Sequence, residues 1–387
     1  MRSVQVVVIG GGIIGIASAY YLRQKGAKVI LLEKGTLGSG STDRANGGIR
    51  AQFSSPVSAK LSKESIEVWE SFEDEFETDI AYRKPGYMFL ARNEETAAQL
   101  EENVKRQNEV GVDSEFLEAE EAAELCPGLN SDNYVAASYL GTDGVADPHL
   151  ALQGFSKAAD EAGVDIRTKT EAIDIQQDST GQVSGVKTAD EIIEADYVVD
   201  AAGPWAPRVA EFVGVDLPIS PKLRHLMVAQ PDTAVDETVP FTIDQDRGVH
   251  FRPERNGAVV CGGHFDDSDP DQNPDAYSKQ VTLDWSAKVI EELSDVAGYF
   301  GPETVVKEGW GGLYSVTPDH HPIIEEVTPG FVVAAGFSGH GFMQSPAAGQ
   351  LVSEVIMDGS PSLIDISKLT ADRFDRGVHL EEGTVID

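Results

Sequence analysis

Cysteine is scarce in this sequence, which has two in 387 residues, Cys126 and Cys261. There is no C-x-x-C pair, and no group of histidines occurs at metal-ligand spacing. These absences argue against a disulfide framework and against a structural zinc site. We therefore expect a functional site without a metal.

Long apolar runs are also lacking. The most apolar early segment, residues 4–9, is far shorter than the ~20 residues that span a bilayer. It ends at three glycines, and it lacks the basic region and cleavage site of a signal peptide. The expectation is a cytoplasmic protein without a membrane span.

Basic residues are few, with 30 Lys and Arg against 65 Asp and Glu, so the formal net charge is −35 at pH 7. At low salt this charge would repel nucleic acid and anionic membranes, and neither is expected as a partner. It would also destabilise the compact chain by self-repulsion, unless molar salt shortens the Debye length to ~3 Å. The composition therefore predicts a halophilic protein from a high-salt cytoplasm.

The first fifty residues depart from this acidity. They carry seven basic residues against two acidic ones, Glu33 and Asp43. This local excess of positive charge predicts that the N-terminal segment binds an anion.

The N-terminal segment has the pattern of a dinucleotide-binding βαβ unit. A β-branched run at 4–9 predicts a buried strand, GGGIIG follows, residues 13–25 fit a helix that ends at Gly26, and a second strand, 28–32, leads to Glu33. In this fingerprint Gly10 permits the tight turn, Gly12 lets the backbone approach a pyrophosphate, and Gly15 lets helix and strand pack closely. Glu33 would accept the ribose hydroxyls, and the pyrophosphate would lie at the helix N-terminus. Both NAD and FAD use such a unit.

Later segments favour the larger cofactor. The loop GSGSTDRANGGIR at 38–50 is rich in glycine and hydroxyl groups, and a short strand at 197–199 leads through Asp200 into AAGPW. Another apolar strand, 331–335, runs into GFSGHGFMQSPAAG. A helix is predicted after it, with Ser345 as N-cap and Pro346 as its first residue.

With these motifs, together with LYSVTPDHHPII at 313–324, the whole chain resembles the D-amino-acid oxidase / sarcosine oxidase superfamily of FAD enzymes. It is most similar to sarcosine-oxidase β-subunit-like and proline-dehydrogenase-like members. The resemblance implies an α/β fold, with a Rossmann-like FAD-binding domain and an inserted mixed-sheet α+β substrate domain. The FAD-binding domain would be discontinuous, comprising 1–85, 141–220 and 315–387, and the substrate domain would comprise 86–140 and 221–314.

The motifs and the resemblance together imply a set of cofactor contacts. They are Gly10, Gly12, Ile13, Ile14, Gly15, Glu33, Lys34, Ser41, Thr42, Arg44, Gly48, Ile49, Ala172, Ala202, Gly203, Trp205, Gly339, His340, Gly341, Phe342 and Met343. Backbone N–H groups at 341–343 would stabilise the negative charge of a reduced flavin. A tight helix entry without a cofactor is the alternative for this motif.

The resemblance implies removal of a hydride from the carbon next to the nitrogen of a small amine or amino acid, of sarcosine, proline or D-amino acid type. Relatives that bind flavin covalently use a cysteine where Gly312 stands or a histidine where Arg44 stands, so FAD should be non-covalent. Lysines of the sarcosine oxidases are replaced by Met343 and, near the oxygen-activating position, by Val260. These replacements favour a dehydrogenase that passes electrons to a quinone or an electron-transfer protein.

Four residues are candidates for the substrate pocket: His340, Arg50, Arg252 and Tyr314. A substrate carboxylate needs a cation, and arginine pairs with it bidentately. Each of three candidates has an alternative role. Arg50 would contact the flavin instead, Arg252 would be an ordinary surface arginine of a strand, and Tyr314 would be a core residue. His340 is assigned to flavin proximity rather than to a base role. Structural roles are expected for His225, His320 and His321.

Two other functions remain open at this level. One is a flavin-dependent 2-hydroxy-acid dehydrogenase, which would share the fold and hydride geometry. The other is a flavoprotein subunit that relays electrons. The substrate, the electron acceptor and the oligomeric state are not determined by the sequence.

Overall fold

The computed structural model describes residues 4–265, 268–380 and 382–383. Its strands, in chain order, are β1 Gln5–Ile9, β2 Lys28–Glu33, β3 Gly48–Ile49, β4 Tyr87–Ala91, β5 Glu115–Glu118, β6 Ala136–Leu140, β7 Gly144–Val145, β8 Asp165–Thr168, β9 Asp174–Gln177, β10 Val183–Lys187, β11 Ile192–Glu194, β12 Tyr197–Asp200, β13 Ser220–Gln230, β14 Phe241–Asp244, β15 Val249–Pro253, β16 Val259–Gly263, β17 Val305–Val316, β18 Ile323–Thr328 and β19 Phe331–Ala335. Its helices are α1 Ile13–Gln24, α2 Pro56–Glu70, α3 Phe72–Phe76, α4 Glu94–Glu109, α5 Ala119–Leu125, α6 Pro148–Ala162, α7 Ala206–Ala210, α8 Leu283–Val296 and α9 Gly341–Met357.

A six-stranded sheet in the order β18-β19-β12-β1-β2-β8 forms one half of the molecule. Its strands are parallel except β18, which pairs antiparallel with β19. Val6, Val7 and Val8 of β1 are fully buried, because helices and a second layer cover both faces of the sheet. The carboxyl ends of β1, β2, β12 and β19 therefore meet at one edge, where ligands of such sheets bind.

Helices α1, α6, α9 and α2 pack together on one face of this sheet. Trp69 of α2 stacks on Phe72 and on Phe342, and Phe155 of α6 packs edge-on against the same group. The other face carries the three-stranded sheet β11-β10-β9. Apolar and polar residues alternate in the sequence between 163 and 195 around a turn at 179–181, which predicts an antiparallel excursion, and the sheet does turn at Gly181.

An eight-stranded mixed sheet in the order β17-β13-β16-β15-β14-β4-β6-β5 forms the other half. Its pairs are antiparallel except β14 with β4. Helices α8 and α5 bury their apolar faces against it in a second core, which contains Phe251, Leu293 and Phe300. The predicted fold class, a Rossmann-like sheet with a separate mixed sheet, is confirmed.

The last helix begins earlier than the sequence pattern predicts. Pro346 lies inside α9 rather than at its first position, and the helix starts at Gly341. Pro346 cannot donate to the carbonyl of Phe342, but the Ser345 hydroxyl donates to that carbonyl at 2.9 Å. The Trp69 indole similarly donates to the Met343 carbonyl at 2.9 Å. These side chains satisfy the carbonyls around the proline, so the helix continues through it.

Other local predictions are close to the structure. The sequence pattern predicts a strand at 86–90 and a charged surface helix at 94–110, and both are observed, as β4 and α4. The acidic run 266–275, with its two prolines, predicts a loop, and residues 266 and 267 of it lie outside the described residues. In the part of the chain that is described, no helix has the length and hydrophobicity needed to cross a bilayer.

Candidate active site

An elongated cavity of about 590 Å³ lies between the two large sheets. One end lies at the carboxyl ends of β1, β2 and β12, where Gly10, Glu33 and Ala202 line it. The other end lies against the eight-stranded sheet, where Tyr87, His250 and Tyr314 line it. Its size is that of a small-molecule or cofactor site.

Two glycines hold the turn between β1 and α1 in a shape that no other residue would allow. A Cβ atom on Gly10 would lie 2.4 Å from the carbonyl oxygen of Ala201, and one on Gly15 would lie 1.9 Å from that of Gly10. Gly10 also has a φ of +113°. At Gly12, the N-cap of α1, a Cβ would meet within 4 Å only Thr42 Oγ1, at 3.3 Å, and would point into a cradle beside the helix N-terminus. The turn thus leaves space for a phosphate where the helix dipole favours it.

Glu33 closes this cradle on one side. Its Oε2 accepts from the Gly11 N–H at 2.8 Å and its Oε1 from the Gly35 N–H at 2.6 Å. The carboxylate is thereby fixed at the cavity wall at the end of β2, where the fingerprint places a ribose acceptor.

Next to Glu33, an ion cluster links the two sheets. Lys34 Nζ lies 4.0 Å above the Trp205 ring and 2.8 Å from Asp275 Oδ1, which also accepts from the Trp205 indole at 2.7 Å. Arg208 donates to the same carboxylate. These hydrogen bonds, with that from Lys34 first, lower the pKa of Asp275. Asp275 comes from the loop after β16, so the half of the molecule built on the eight-stranded sheet contributes to the end of the cavity at Glu33.

The second glycine-rich loop forms another wall. Thr42 Oγ1 accepts from the Ile13 N–H at 3.1 Å, and Ser41 Oγ donates to the Leu313 carbonyl at 2.7 Å. Arg44 donates to the carbonyls of Ser39 and Gly40, at 2.6 and 2.5 Å. The loop is therefore tied to α1 on one side and to β17 on the other.

The N-terminus of α9 lies at the opposite side of the cavity. Gly339, His340, Gly341, Phe342 and Met343 all line it. Gly339 has a φ of +90°, and a Cβ there would lie 2.4 Å from the Tyr314 ring. The free N–H groups of the first helical turn can therefore face a negative charge in the cavity.

Arg50 and His340 are in contact in the buried wall. The Arg50 guanidinium lies 4.0 Å above the Phe53 ring, and its Nη2 is 3.3 Å from His340 Nε2. Burial, and then the positive charge of Arg50, holds the pKa of His340 well below its usual value. Burial also lowers the pKa of Arg50, which nearby Glu382 counteracts. His340 is consequently a neutral imidazole beside a cation.

Most of the predicted cofactor residues line the cavity, including Ile13, Ile14, Gly48, Ala172, Ala202 and Gly203. Gly15 and Ile49 do not, and both are buried behind its wall. Of the predicted substrate residues, Arg50, Tyr314 and His340 line the cavity. The structure does not bring Arg252 there: its Nε donates to the Asn46 Oδ1 at 2.6 Å, and Nη1 pairs with Glu254.

Several cavity residues were missed by the sequence reasoning. His250 is two residues before Arg252 and shares its face of β15, so strand alternation was a usable signal for it. Burial lowers the pKa of His250 to about 4, and its Nδ1 has no hydrogen-bond partner among the described residues. Arg224 and His225 of β13 also line the cavity, so His225, for which a structural role is expected, borders the site.

The other two histidines fit the expected structural roles better. His321 is fully buried, and its Nδ1 is 2.5 Å from the Asp319 carbonyl oxygen. Arg373 forms a bidentate pair with the Asp319 carboxylate, at 2.8 and 2.9 Å. His320 adopts a φ of +60° in the tight turn before this cluster.

Comparisons with known proteins agree with this geometry. A family model described as "FAD dependent oxidoreductase" (DAO) matches residues 5–355. FAD-dependent oxidoreductase domain-containing protein 1 of Xenopus laevis is 31% identical, over 95% of this chain and 82% of that protein. Sarcosine oxidase subunit beta of Arthrobacter sp is 28% identical, over 98% and 93%. The crystal structure of L-proline dehydrogenase from P. horikoshii superposes with a TM-score of 0.89, at 31% identity, over 98% of this chain and 99% of the other.

The cavity also fits the cofactor of this family. The glycine cradle suits a pyrophosphate, Glu33 a ribose, and the α9 N-terminus the edge of a flavin that becomes negative on reduction. The family model spans most of the chain, and the predicted resemblance is confirmed. The protein therefore belongs to the DAO family of FAD-dependent oxidoreductases.

Proposed function

We propose that this enzyme oxidises the carbon next to the nitrogen of a small amino acid or amine. The observation that carries the proposal is the continuity of the cavity from the glycine cradle to a compartment lined by Tyr87, His250, Tyr314 and Arg224. The Arg224 guanidinium in its wall suits the binding of a carboxylate. Relatives named sarcosine oxidase subunit beta, glycine oxidase and L-proline dehydrogenase act on substrates of this kind.

When bound, FAD supplies the hydride acceptor. The chain's own residues exclude water and hold charge. The N–H groups of Gly341, Phe342 and Met343 would stabilise the negative charge that reduction creates. His340 is neutral and adds no charge of its own to this wall. Arg50, next to it, adds a fixed positive charge. His250, also neutral, offers a hydrogen-bonding nitrogen to the substrate end.

We propose that FAD is held without a covalent bond. Cys126 and Cys261 are both fully buried, and neither lines the cavity. Gly312 lines the cavity where covalent relatives carry a cysteine, and Arg44 is engaged with backbone carbonyls of its own loop. Denaturation in acid should release all the flavin into the supernatant, and flavin that remains with the protein would refute this.

The reaction is proposed to be that of a dehydrogenase. Val260, near the aligned position of the oxygen-activating lysine, is an apolar and buried residue of β16. Met343 replaces a second lysine at the start of α9. Electrons would then pass to a quinone or an electron-transfer protein. Comparable turnover with oxygen and with an artificial dye would contradict this assignment.

The two large sheets suggest a division of the chain into two domains. We propose an FAD-binding domain of residues 1–85, 141–220 and 315–387 and a substrate domain of residues 86–140 and 221–314.

The acidic composition further supports a high-salt cytoplasm as the site of action. Both proposals rest on the sequence and on the placement of the strands.

The decisive experiment is anaerobic titration of the purified holoenzyme with amino acids, N-methyl amino acids and 2-hydroxy acids. Bleaching of the flavin absorbance by amino acids, without bleaching by hydroxy acids, is expected. Bleaching by hydroxy acids alone would indicate a 2-hydroxy-acid dehydrogenase. Bound FAD that no small molecule reduces would instead indicate an electron-relay subunit.

A further inference from the structure

Arg224 lies on β13, between β17 and β16, and its side chain lines the cavity. In the β13–β17 register it stands opposite Gly312, and Lys222 stands opposite Tyr314. Opposite residues of an antiparallel pair project to the same face. Because Gly312 has no side chain, nothing from β17 covers the Arg224 guanidinium at that register position. The guanidinium carbon instead lies 5.7 Å from the Tyr314 ring centroid.

The guanidinium is paired with a carboxylate of the chain itself. Arg224 Nη1 is 2.8 Å from Asp269 Oδ1, and Nη2 is 3.0 Å from Asp269 Oδ2. This parallel, two-point geometry is the one arginine uses to recognise carboxylates. The Arg224 side chain is 10% exposed and that of Asp269 27% exposed. Asp269 comes from the loop after β16 and is not part of the cavity wall.

Arg50, the other arginine near this end of the cavity, is engaged differently. It is fully buried, lies flat on Phe53, donates to the Gln52 carbonyl and contacts His340. Its placement beside the α9 N-terminus suits a fixed charge for the flavin. Arg224 is the arginine that lies next to Tyr314, and its carboxylate partner Asp269 is 27% exposed.

We propose that Arg224 binds the substrate carboxylate, and that Asp269 holds the guanidinium in place until the substrate displaces it. This inference rests on the proposed oxidation of an amino acid and specifies its recognition. Because Gly312 of β17 has no side chain, β17 supplies no cation at this position. Arg224 supplies it instead from the neighbouring strand β13, at the same register position.

The test compares ligands that differ only in the carboxylate. Pyrrole-2-carboxylate and pyrrole-2-carboxamide are titrated into the FAD-loaded enzyme, and their dissociation constants are read from the change in flavin absorbance. The same enzymes are then assayed with L-proline and L-prolinamide. The ligand pair reports recognition even where no substrate is oxidised, so failure of this inference and failure of the proposed function give different results.

Arg224→Gln should weaken the carboxylate ligand about 100-fold, since a charge-assisted pair is lost, and should leave the carboxamide within about threefold. Arg224→Lys should keep a part of the preference, because lysine retains the charge but not the two-point geometry. Asp269→Asn should strengthen the carboxylate ligand several-fold by removing a competitor. Arg247→Gln, which breaks an ion pair with Glu292 outside the cavity wall, is the matched control and should change neither ligand.

An unchanged carboxylate-to-carboxamide ratio in Arg224→Gln and Arg224→Lys would overturn the inference, as would the absence of carboxylate binding by the wild type. A weaker carboxylate ligand in Asp269→Asn would overturn the competing role of Asp269. If amino acids bleach the flavin but the carboxylate-to-carboxamide ratio does not depend on Arg224, the inference fails and the proposed function stands. If Arg224→Gln does not fold, the ratios in Arg224→Lys and Asp269→Asn decide.

Discussion

The Nη2 atom of Arg50 lies 3.3 Å from Nε2 of His340, in a wall where both side chains are buried. The two side chains come from distant parts of the chain, since Arg50 follows β3 and His340 is the N-cap of α9. The contact makes a protonated imidazole unfavourable, because it would place two positive charges side by side without water.

A neutral His340 should leave no trace in the pH dependence of the reaction. We expect His340→Asn to reduce the rate of flavin reduction about tenfold or more, while the pH profile between 6 and 9 keeps its shape. Stopped-flow reduction at saturating substrate measures this. Loss of a limb of the profile in the variant would show that His340 titrates in this range.

Gly12 and Gly15 should separate cofactor binding from folding. Gly12→Ala places a methyl group in the cradle with only Thr42 Oγ1 near, so the apoprotein should fold normally and bind FAD about tenfold or more weakly. Gly15→Ala puts a Cβ 1.9 Å from a backbone oxygen and should lower the free energy of unfolding by about 3 kcal/mol. Urea unfolding of the apoproteins and FAD fluorescence titration check both. Equal destabilisation of the two variants would contradict this division.

Asp275 should slow the release of FAD. It holds Lys34, Trp205 and Arg208 together at the nucleotide end, so Asp275→Asn should raise the FAD dissociation rate several-fold at low salt. Its side chain is 48% exposed, and 1 M KCl should therefore shrink the difference. Asp271→Asn, which weakens an ion pair with Lys222 and a hydrogen bond from Ser220, is the control, since Asp271 does not line the cavity. A rate that Asp275→Asn leaves unaltered would exclude the role.

Asp200 should make the protein less stable as the pH rises. Burial raises its pKa to about 8, and the Ala202 N–H counteracts this only in part. In the described part of the chain, Oδ2 has no hydrogen-bond partner. The pKa of Asp200 is thus about 8 in the folded state and near 4 in the unfolded state, so the folded state binds the proton more tightly. The resulting stability is present at pH 4 and is lost as the pH rises to 8. Asp200→Asn keeps the acceptor for Ala202 and should be more stable than the wild type at pH 8, by about 2 kcal/mol, with little gain at pH 4. Urea unfolding at both pH values, with saturating FAD, measures the difference, and an equal effect at both would refute it.

Salt should stabilise the fold. With a net charge of −35, repulsion within the chain is screened as the Debye length falls from ~10 Å at 0.1 M to ~3 Å at 1 M. The melting temperature should rise by several degrees over that range, and equally in KCl and NaCl. Full stability without salt would remove the basis for a halophilic origin.

The sequence alone determined the elements whose causes are local. The run of valines before Gly10 predicted β1, the glycine spacing predicted the turn into α1, and Gly26 marked the end of that helix. Family membership also followed from motifs, because each of them is a short contiguous segment. Pro346 shows the limit of such reasoning: it indicated a helix start, but Ser345 satisfied the carbonyl that the proline leaves open.

The composition of the substrate compartment was decided only by the tertiary structure. Arg252 and His250 share one strand face, yet Arg252 is held by Asn46 and Glu254, and His250 lines the cavity. Arg224 meets Asp269 and Tyr314 only because β13 pairs with β17 and the loop after β16 folds back over them. Periodicity gives the face of a strand, whereas contacts between distant segments determine which side chains on that face remain available to a substrate.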